Sequence, residues 1–266
     1  MGRELRVGER ARDRIDTGPR FTESDAIRLN NLFRGTDTQE MLRNVLHDRL
    51  AGDVAVVSSF GAESAVLLQL VASVDPATPV LFLETHKHFP ETIVYRDLLV
   101  ERLGLTNLQV IEPDPVVLAA KDDNGLRWSW DPDGCCEIRK VIPLAKALLP
   151  FDATITGRKG FQSSTRAGLP RFEIDNSDAQ GRLKINPLAS WSKQDLEDYF
   201  NAHALPAHPL VAQGYPSIGC APCTSMVAPG EDPRSGRWQG WDKTECGIHV
   251  PGTPDGELPP GYDPVF

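Results

Sequence analysis

The sequence predicts an α/β fold in which a mostly parallel, twisted sheet carries helices on both faces and continues into a mobile C-terminal tail. Short runs of apolar, β-branched residues recur along the chain, and helical stretches of ten to fifteen residues separate them. Strands that alternate with helices in this way form parallel sheets through right-handed crossovers. At 266 residues, 40% of them hydrophobic, the chain is long enough to bury such a core.

The elements follow in order along the chain. A weakly amphipathic helical pattern runs from Ala26 to Leu50, and a later helix has Pro90 in its first turn and Gly104 just past its end. Four runs predict the strands: Val54 to Val57, Val80 to Leu83, Leu108 to Ile111 and Ala153 to Thr156. We divide the chain into a leader and packing helix (1–45), an α/β domain (46–225) and a C-terminal segment (226–266).

Composition excludes several classes of protein. The formal net charge of -9 argues against a general nucleic-acid-binding surface, which needs a basic balance. The longest apolar runs fall far below the about 20 residues of a membrane helix, and the charged N-terminus lacks the apolar stretch of a signal peptide. We therefore expect a soluble cytoplasmic protein. In that compartment cysteines bind metals or act in catalysis more often than they form disulfides.

The loop Ser59-Phe-Gly-Ala-Glu-Ser64 after the first strand predicts a phosphate cradle. Gly61 lets the backbone approach a ligand, Ser59 and Ser64 add hydroxyl groups, and the next helix contributes its unpaired amides and positive dipole. The loop is neither a Walker A motif nor the dinucleotide glycine fingerprint. An ordinary strand-to-helix turn is the alternative. The loop resembles the pyrophosphate loop of the adenine nucleotide α-hydrolase-like superfamily, whose members bind adenylated compounds.

Five cysteines form two pairs and one single residue. Cys135 and Cys136 are adjacent, Cys220 and Cys223 have a chelating spacing, and Cys246 stands alone near the C-terminus. Four thiolates suit either tetrahedral zinc or an iron-sulfur cluster. Because zinc sites usually take two Cys-x2-4-Cys pairs, the adjacent pair favours iron and sulfur.

Cationic residues accompany the cysteine and glycine motifs. Each pair alone is typical of a solvated surface, but together they predict a site for an anionic small molecule. The pairs are Arg139 with Lys140, Arg158 with Lys159, Arg166 with Arg171, and Arg234 with Arg237.

These motifs in combination resemble the family of assimilatory sulfonucleotide reductases, and specifically its 4Fe-4S branch, which reduces adenosine 5'-phosphosulfate. The matching segments span about residues 53 to 249. They are Ser59-Phe-Gly-Ala-Glu-Ser64, Phe89-Pro-Glu-Thr92, Cys135-Cys-Glu-Ile-Arg-Lys140, Thr156-Gly-Arg-Lys-Gly-Phe-Gln162, Gly219-Cys-Ala-Pro-Cys-Thr224 and Glu245-Cys-Gly-Ile-His249. Related reductases of the 3'-phosphorylated substrate keep the tail cysteine but lack the four cluster cysteines.

The resemblance implies a Rossmann-like adenine nucleotide α-hydrolase fold and one 4Fe-4S cluster held by Cys135, Cys136, Cys220 and Cys223. It implies that the Cys246 thiolate attacks the sulfur of adenosine 5'-phosphosulfate, expels AMP and becomes an S-sulfocysteine. Thioredoxin or a similar dithiol would then release sulfite. Such an enzyme serves assimilatory sulfate reduction and cysteine biosynthesis.

The resemblance also implies roles for the cations. Lys140 matches the family lysine between cluster and substrate, Arg234 and Arg237 match its C-terminal arginines, and His249 is a base or a hydrogen-bond partner of the tail. The full set expected to bind substrate is Ser59, Gly61, Ser64, Lys140, Arg158, Arg166, Arg234, Arg237 and His249.

One segment departs from the family pattern. Glu84-Thr85-His86 stands where many members carry Asp-Thr-Gly, and a side chain at position 86 would narrow the space that glycine leaves. A metal site made of Glu84, His86 and His88 is a rival explanation that lacks a convincing set of partners.

Three other functions stay open on the sequence. They are reduction of the 3'-phosphorylated substrate, tRNA thiolation by another pyrophosphate-loop enzyme, and a noncatalytic, metal-stabilised binding module in which Cys246 is dispensable. A homo-oligomer is compatible with the sequence.

Overall fold

The computed structural model describes residues 20–162, 166, 168–176, 178, 181–243 and 248. Its helices are α1 (Glu23–Leu32), α2 (Thr38–Leu46), α3 (Ser64–Val74), α4 (Pro90–Leu103), α5 (Pro115–Lys121), α6 (Pro132–Cys136), α7 (Ile142–Ala147) and α8 (Lys193–Ala202). Its strands are β1 (Val54–Val57), β2 (Val80–Leu83), β3 (Leu108–Ile111), β4 (Ala153–Thr156), β5 (Phe172–Ile174) and β6 (Leu183–Ile185). Within this part of the chain, the helices lack the length and apolarity that crossing a membrane requires.

The strands form one six-stranded sheet in the order β3-β2-β1-β4-β6-β5. All neighbouring strands run parallel except β5, which pairs antiparallel with β6 at one edge. The four predicted strands are confirmed with the same bounds, and the α/β class is confirmed with them. The sequence analysis missed β5 and β6 because three residues are too few to show a periodic pattern.

Helices cover both faces of the sheet, as predicted. Side chains alternate between the faces along a strand. Val54 and Val56 of β1 join a large hydrophobic cluster with α2, α3 and α4. Ala55 faces the other way, into a smaller cluster that includes Leu144 of α7. Burial on both faces explains why β1 is an uninterrupted apolar run rather than an alternating one.

The N-terminal helical region forms two helices rather than the single predicted one. The break falls at Gly35, whose φ of +76° is a left-handed conformation that glycine adopts without a steric cost. Asp37 then starts α2, because its carboxylate accepts hydrogen bonds from the amides of Gln39 (2.8 Å) and Glu40 (3.2 Å).

The segment that carries the adjacent cysteines is helical but irregular. Helix α6 ends at Cys136, a π-helical turn follows over Glu137–Val141, and α7 continues from Ile142. Pro143 accounts for the irregularity, because it has no amide hydrogen and its ring clashes with the carbonyl four residues earlier. The widened turn thus lies directly after the two cysteines.

Candidate active site

An open cleft of about 760 Å³ lies where the carboxyl ends of three parallel strands meet, beside Val57, Leu83 and Thr156. Parallel sheets bind their ligands at this edge. The cleft brings together every predicted substrate-binding residue that the structure describes. These residues are Ser59, Gly61, Ser64, Lys140, Arg158, Arg166, Arg234 and Arg237.

The loop after β1 is held in a fixed shape. Phe60 adopts a φ of +49°, its ring is fully buried against Phe82, and its amide donates to Ser58 Oγ at 3.2 Å. Gly61 is closely packed, since a Cβ there would lie 3.2 Å from the carbonyl oxygen of Ile218, which would have to shift by a few tenths of an ångström. The Ser64 hydroxyl donates to the carbonyl of Gly61 at 2.7 Å, so its lone pairs, rather than its hydrogen, face further partners.

The cleft is strongly positive although the chain is acidic. Among the described residues that line it, seven are lysine or arginine and two are acidic. Some of that charge is locally balanced: Arg158 pairs with Glu173, and Lys159 pairs with Glu63 at 2.8 Å. Burial lowers the pKa of Lys159, and the charge of Glu63 acts in the opposite direction. A concentration of cations on a protein of net charge -9 indicates an anionic ligand.

Sequence reasoning missed the contact that joins the loops after β1 and β4. The Glu63 carboxylate accepts hydrogen bonds from Lys159 Nζ and Gln162 Nε2, both at 2.8 Å. Gln162 in turn accepts one from Arg166 Nη1 at 2.6 Å. Glu63 begins α3 without capping it, which leaves its carboxylate to make these long-range bonds. The partners are 96 and 99 residues away, so the sequence carries no local signal of the contact.

The four described cysteines surround a second, smaller cavity. These four cysteines form no disulfide bonds with one another, and all but the partly exposed Cys223 are buried. Burial raises the pKa of the Cys135 thiol to about 11, and the neighbouring cysteines add to the rise. Burial also raises the pKa of Cys223, against the opposing charges of Lys140, Arg237 and Lys243. A raised pKa means that the thiol keeps its proton at neutral pH. A metal that binds such a cysteine must displace this proton, because the thiolate is the ligand.

The donor set is four cysteine thiols around one cavity, which suits a thiolate-bound metal centre. Across the described ranges, no three Cys, His, Asp or Glu side chains converge tightly enough to hold one metal ion. A tetrahedral zinc site would bring its sulfurs within about 4 Å of one another, because each Zn–S bond is about 2.3 Å long. A 4Fe-4S cluster takes one thiolate at each iron, so its cysteines stand around a larger body. The four thiols around one cavity could therefore hold such a cluster.

A buried ion pair supports the cysteine cavity. The guanidinium of Arg139 lines this cavity, donates to Asp122 Oδ2 from Nη2 (2.5 Å) and Nε (3.2 Å), and donates to the carbonyl of Thr85 at 2.9 Å. The Thr85 hydroxyl lies 3.3 Å from the sulfur of Cys220. The sequence analysis names Arg139 only as a cation and Thr85 only within the segment that departs from the family pattern, and it misses Asp122.

The two cavities share one wall. Lys140, Arg237 and Trp238 line both of them. Trp238 is 4% exposed, has a φ of +49°, and donates its amide to the carbonyl of Cys223 at 3.1 Å. The guanidinium of Arg237 stacks over the indole at 4.3 Å from the ring centroid. Gly219 makes room for this guanidinium, because a Cβ there would lie 2.2 Å from Arg237 Nη2.

The expectation that His86 narrows the nucleotide site is wrong for this chain. His86 adopts a φ of +57°, the conformation that glycine favours, and its exposed side chain lines neither cavity. Its Nε2 lies 3.5 Å from Glu112 Oε1. The rival metal site is not formed either: within the described residues Glu84, His86 and His88 do not converge, and His88 Nε2 instead contacts the carbonyl of Leu83 at 2.8 Å.

Cys246 and His249 lie outside the described residues. The described residues nearest to them in the sequence are Lys243 and Ile248. Lys243 contacts Asp133 of α6, and Ile248 lines the large cleft and packs on the hydrophobic cluster around Leu81. Both flanks of the cysteine in the sequence therefore lie beside the site.

Comparisons with known proteins agree with this arrangement. Residues 53–226 match the family model for the phosphoadenosine phosphosulfate reductase domain. A protein from Mesorhizobium japonicum named adenosine 5'-phosphosulfate reductase is 50% identical over 240 residues, which cover 90% of this chain and 93% of that protein. A protein of the same name from Chelativorans sp. is 55% identical over 201 residues, covering 76% of this chain and 80% of the relative.

A solved structure extends the comparison to the fold. The crystal structure of phosphoadenylyl-sulfate reductase from Candida auris aligns with a TM-score of 0.66 and 26% identity, over 78% of this chain and 98% of that one. The range matched by the family model contains the loop after β1, the wall residue Lys140 and all four described cysteines. The chain therefore belongs to the phosphoadenosine phosphosulfate reductase domain family.

Proposed function

We propose that this protein is an adenosine 5'-phosphosulfate reductase, the activity named for its relatives, and that it releases sulfite and AMP in assimilatory sulfate reduction. One observation carries the proposal: a cationic cleft and a cavity lined by four thiols share the wall made by Lys140, Arg237 and Trp238. The cleft suits an anionic nucleotide, and the thiols suit the cluster expected of the branch that acts on this substrate. Reductases of the 3'-phosphorylated compound lack those four cysteines in the family pattern.

The cleft residues bind and polarise the substrate. We assign the phosphate to the loop around Gly61, where the backbone can approach it and the amino end of α3 favours negative charge. Arg234, Arg237 and Lys140 stabilise the charge that grows on the departing AMP, because fixed cations cost no reorganisation as the bond breaks. Arg158 and Arg166 complete the cationic lining of the cleft.

Cys135, Cys136, Cys220 and Cys223 would hold one 4Fe-4S cluster in the smaller cavity. When bound, the cluster would supply electrostatic and structural tuning of the neighbouring cleft. Arg139, Lys140 and Arg237 line the same cavity and offset the charge of four thiolates, which supports this assignment. We place the protein in the cytoplasm, a reducing compartment in which cysteines bind metals more often than they form disulfides.

Cys246 is the nucleophile in this proposal. Its thiolate attacks the sulfonate sulfur, a sulfur–sulfur bond forms, and the bond from sulfur to the phosphate oxygen breaks, so that AMP leaves with the electron pair. Thioredoxin or a similar dithiol then attacks the Cys246 sulfur and expels sulfite. The second thiol of the reductant resolves the mixed disulfide, so two electrons pass from the dithiol to the substrate sulfur. The positions of Lys243 and Ile248 beside the site support this assignment.

The test uses protein purified without oxygen. Wild type should release sulfite from adenosine 5'-phosphosulfate with reduced thioredoxin, and should release far less from the 3'-phosphorylated compound. Cys246→Ser should release none, yet should bind AMP and retain the visible absorbance of the cluster as wild type does. A colourless protein without sulfite release would refute the proposed function, and an active Cys246→Ser variant would refute the role of the thiol.

A further inference from the structure

Lys243 has an unusual environment for a lysine. Its side chain is 6% exposed, although lysine is among the residues that are rarely buried without a partner. Its Nζ donates to Asp133 Oδ1 and lies 5.6 Å from the ring centroid of Trp238. The ammonium group is therefore held between a carboxylate and the face of an indole, an arrangement that restrains it on two sides.

Both partners of Lys243 lie next to the cysteine cavity. Asp133 lies on α6, two residues before Cys135. The start of this helix is fixed by Asp131, which accepts a hydrogen bond from the amide of Gly134 at 2.8 Å and pairs with Arg127 at 2.7 Å. Trp238 is buried in the wall between the two cavities. The ammonium group thus connects the C-terminal segment to the cysteine-bearing helix and to the shared wall.

We propose that Lys243 is a positioning residue for the sulfur-transfer step: its contacts with Asp133 and with the indole of Trp238 hold the part of the C-terminal segment that leads to Cys246, and so limit where the Cys246 thiol can reach. The proposal rests on the proposed function, since it assigns the anchored segment to the nucleophile. Lys243 precedes Cys246 by only three residues in the sequence. Fixing a point so near the thiol raises its effective concentration at the substrate sulfur.

The pair itself contributes little to folding. The side chain of Asp133 is 79% exposed, and an ion pair with one exposed partner is screened by solvent. Loss of the ion pair should therefore leave the fold and the cleft intact, while the Cys246 thiol is less well placed. A displacement of about 1 Å at a reacting group can slow a reaction about 100-fold. We expect the rate of sulfur transfer, rather than nucleotide affinity, to report the change.

The experiment measures one turnover without reductant. Wild type and variants are mixed with adenosine 5'-phosphosulfate under anaerobic conditions, and the S-sulfocysteine adduct is followed by intact mass. AMP affinity is measured separately by calorimetry. The variants are Lys243→Gln, Lys243→Arg and Asp133→Asn. Lys146→Gln is the matched control, because Lys146 is an exposed lysine on α7 that lines neither cavity.

We expect Lys243→Gln to form the adduct about tenfold more slowly or worse, with AMP affinity within about twofold of wild type. Asp133→Asn should show the same defect in part, and Lys243→Arg should keep most of the rate because it keeps the cation. An unchanged adduct rate in Lys243→Gln, an equal loss of AMP affinity, or a rate in Lys243→Arg no faster than in Lys243→Gln would overturn the proposal. If wild type itself forms no adduct, the proposed function fails and the anchoring role fails with it.

Discussion

The ion pair between Asp122 and Arg139 offers the sharpest test of the packing around the cysteine cavity. Asp122→Asn keeps the shape of the side chain and removes its charge. The carboxylate is completely buried and the guanidinium is 5% exposed, so solvent cannot compensate for the loss. The amide of Arg127 also donates to Asp122, from 2.8 Å. Asparagine has a single acceptor oxygen and cannot accept all of these bonds.

The expected cost follows from those contacts. A hydrogen bond to a charged group contributes about 1.5 to 3 kcal/mol, and breaking a buried pair by removing one partner costs about 3 to 5 kcal/mol. We therefore expect Asp122→Asn to lower the free energy of unfolding by about 3 kcal/mol. For a domain of this size the melting temperature should fall by roughly 6 to 12 °C.

Urea unfolding of anaerobic protein, followed by circular dichroism, gives the comparison. Asp123→Asn is the matched control: Asp123 is exposed and adjacent, so its stability should change by less than about 0.5 kcal/mol. A loss below about 1 kcal/mol in Asp122→Asn, or an equal loss in Asp123→Asn, would refute this reasoning.

Two further predictions concern the shared wall and the response to pH. Gly219→Ala should lower AMP affinity about tenfold with little change in melting temperature. The reason is that a Cβ at position 219 would lie 2.2 Å from Arg237 Nη2 and displace the guanidinium. Unchanged AMP affinity by calorimetry would contradict this prediction. Burial lowers the pKa of His208 to about 4, whereas an unperturbed histidine has a pKa of about 6.5. Between these two pH values the folded state binds fewer protons than the unfolded state. The free energy of unfolding therefore falls as the pH falls through this range. His208→Asn should therefore lose about 2 kcal/mol less than wild type between pH 7 and pH 4.5 in urea titrations, and equal losses would refute the assignment.

Local patterns explain what could be predicted. Three of the four predicted strands, β1, β2 and β4, are almost wholly buried in the sheet, so each appears as a short run of mostly apolar residues with clear ends. The fourth, β3, lies at an edge of the sheet and is partly exposed. The loops that follow the strands are recognisable because glycine and hydroxyl residues are needed where a ligand approaches the backbone. The cysteine spacings are local in the same sense, and the family follows from them. In each case the informative residues lie within a few positions of one another.

The arrangement of the site depends on contacts between distant parts of the chain. Asp122 meets Arg139 and Glu63 meets Gln162 only because the sheet brings their loops together. Likewise, nothing in the run around Trp238 shows that it separates two cavities.

Sequence alone was thus sufficient for the α/β fold, the four predicted strands and the family. The shared wall, the buried ion pair, the outward side chain of His86 and the anchored ammonium group of Lys243 required the folded structure. The physical reason is the separation along the sequence over which each effect acts. Backbone preferences and burial patterns act within one helix or strand, whereas charge pairing and cavity shape depend on which elements the fold places side by side.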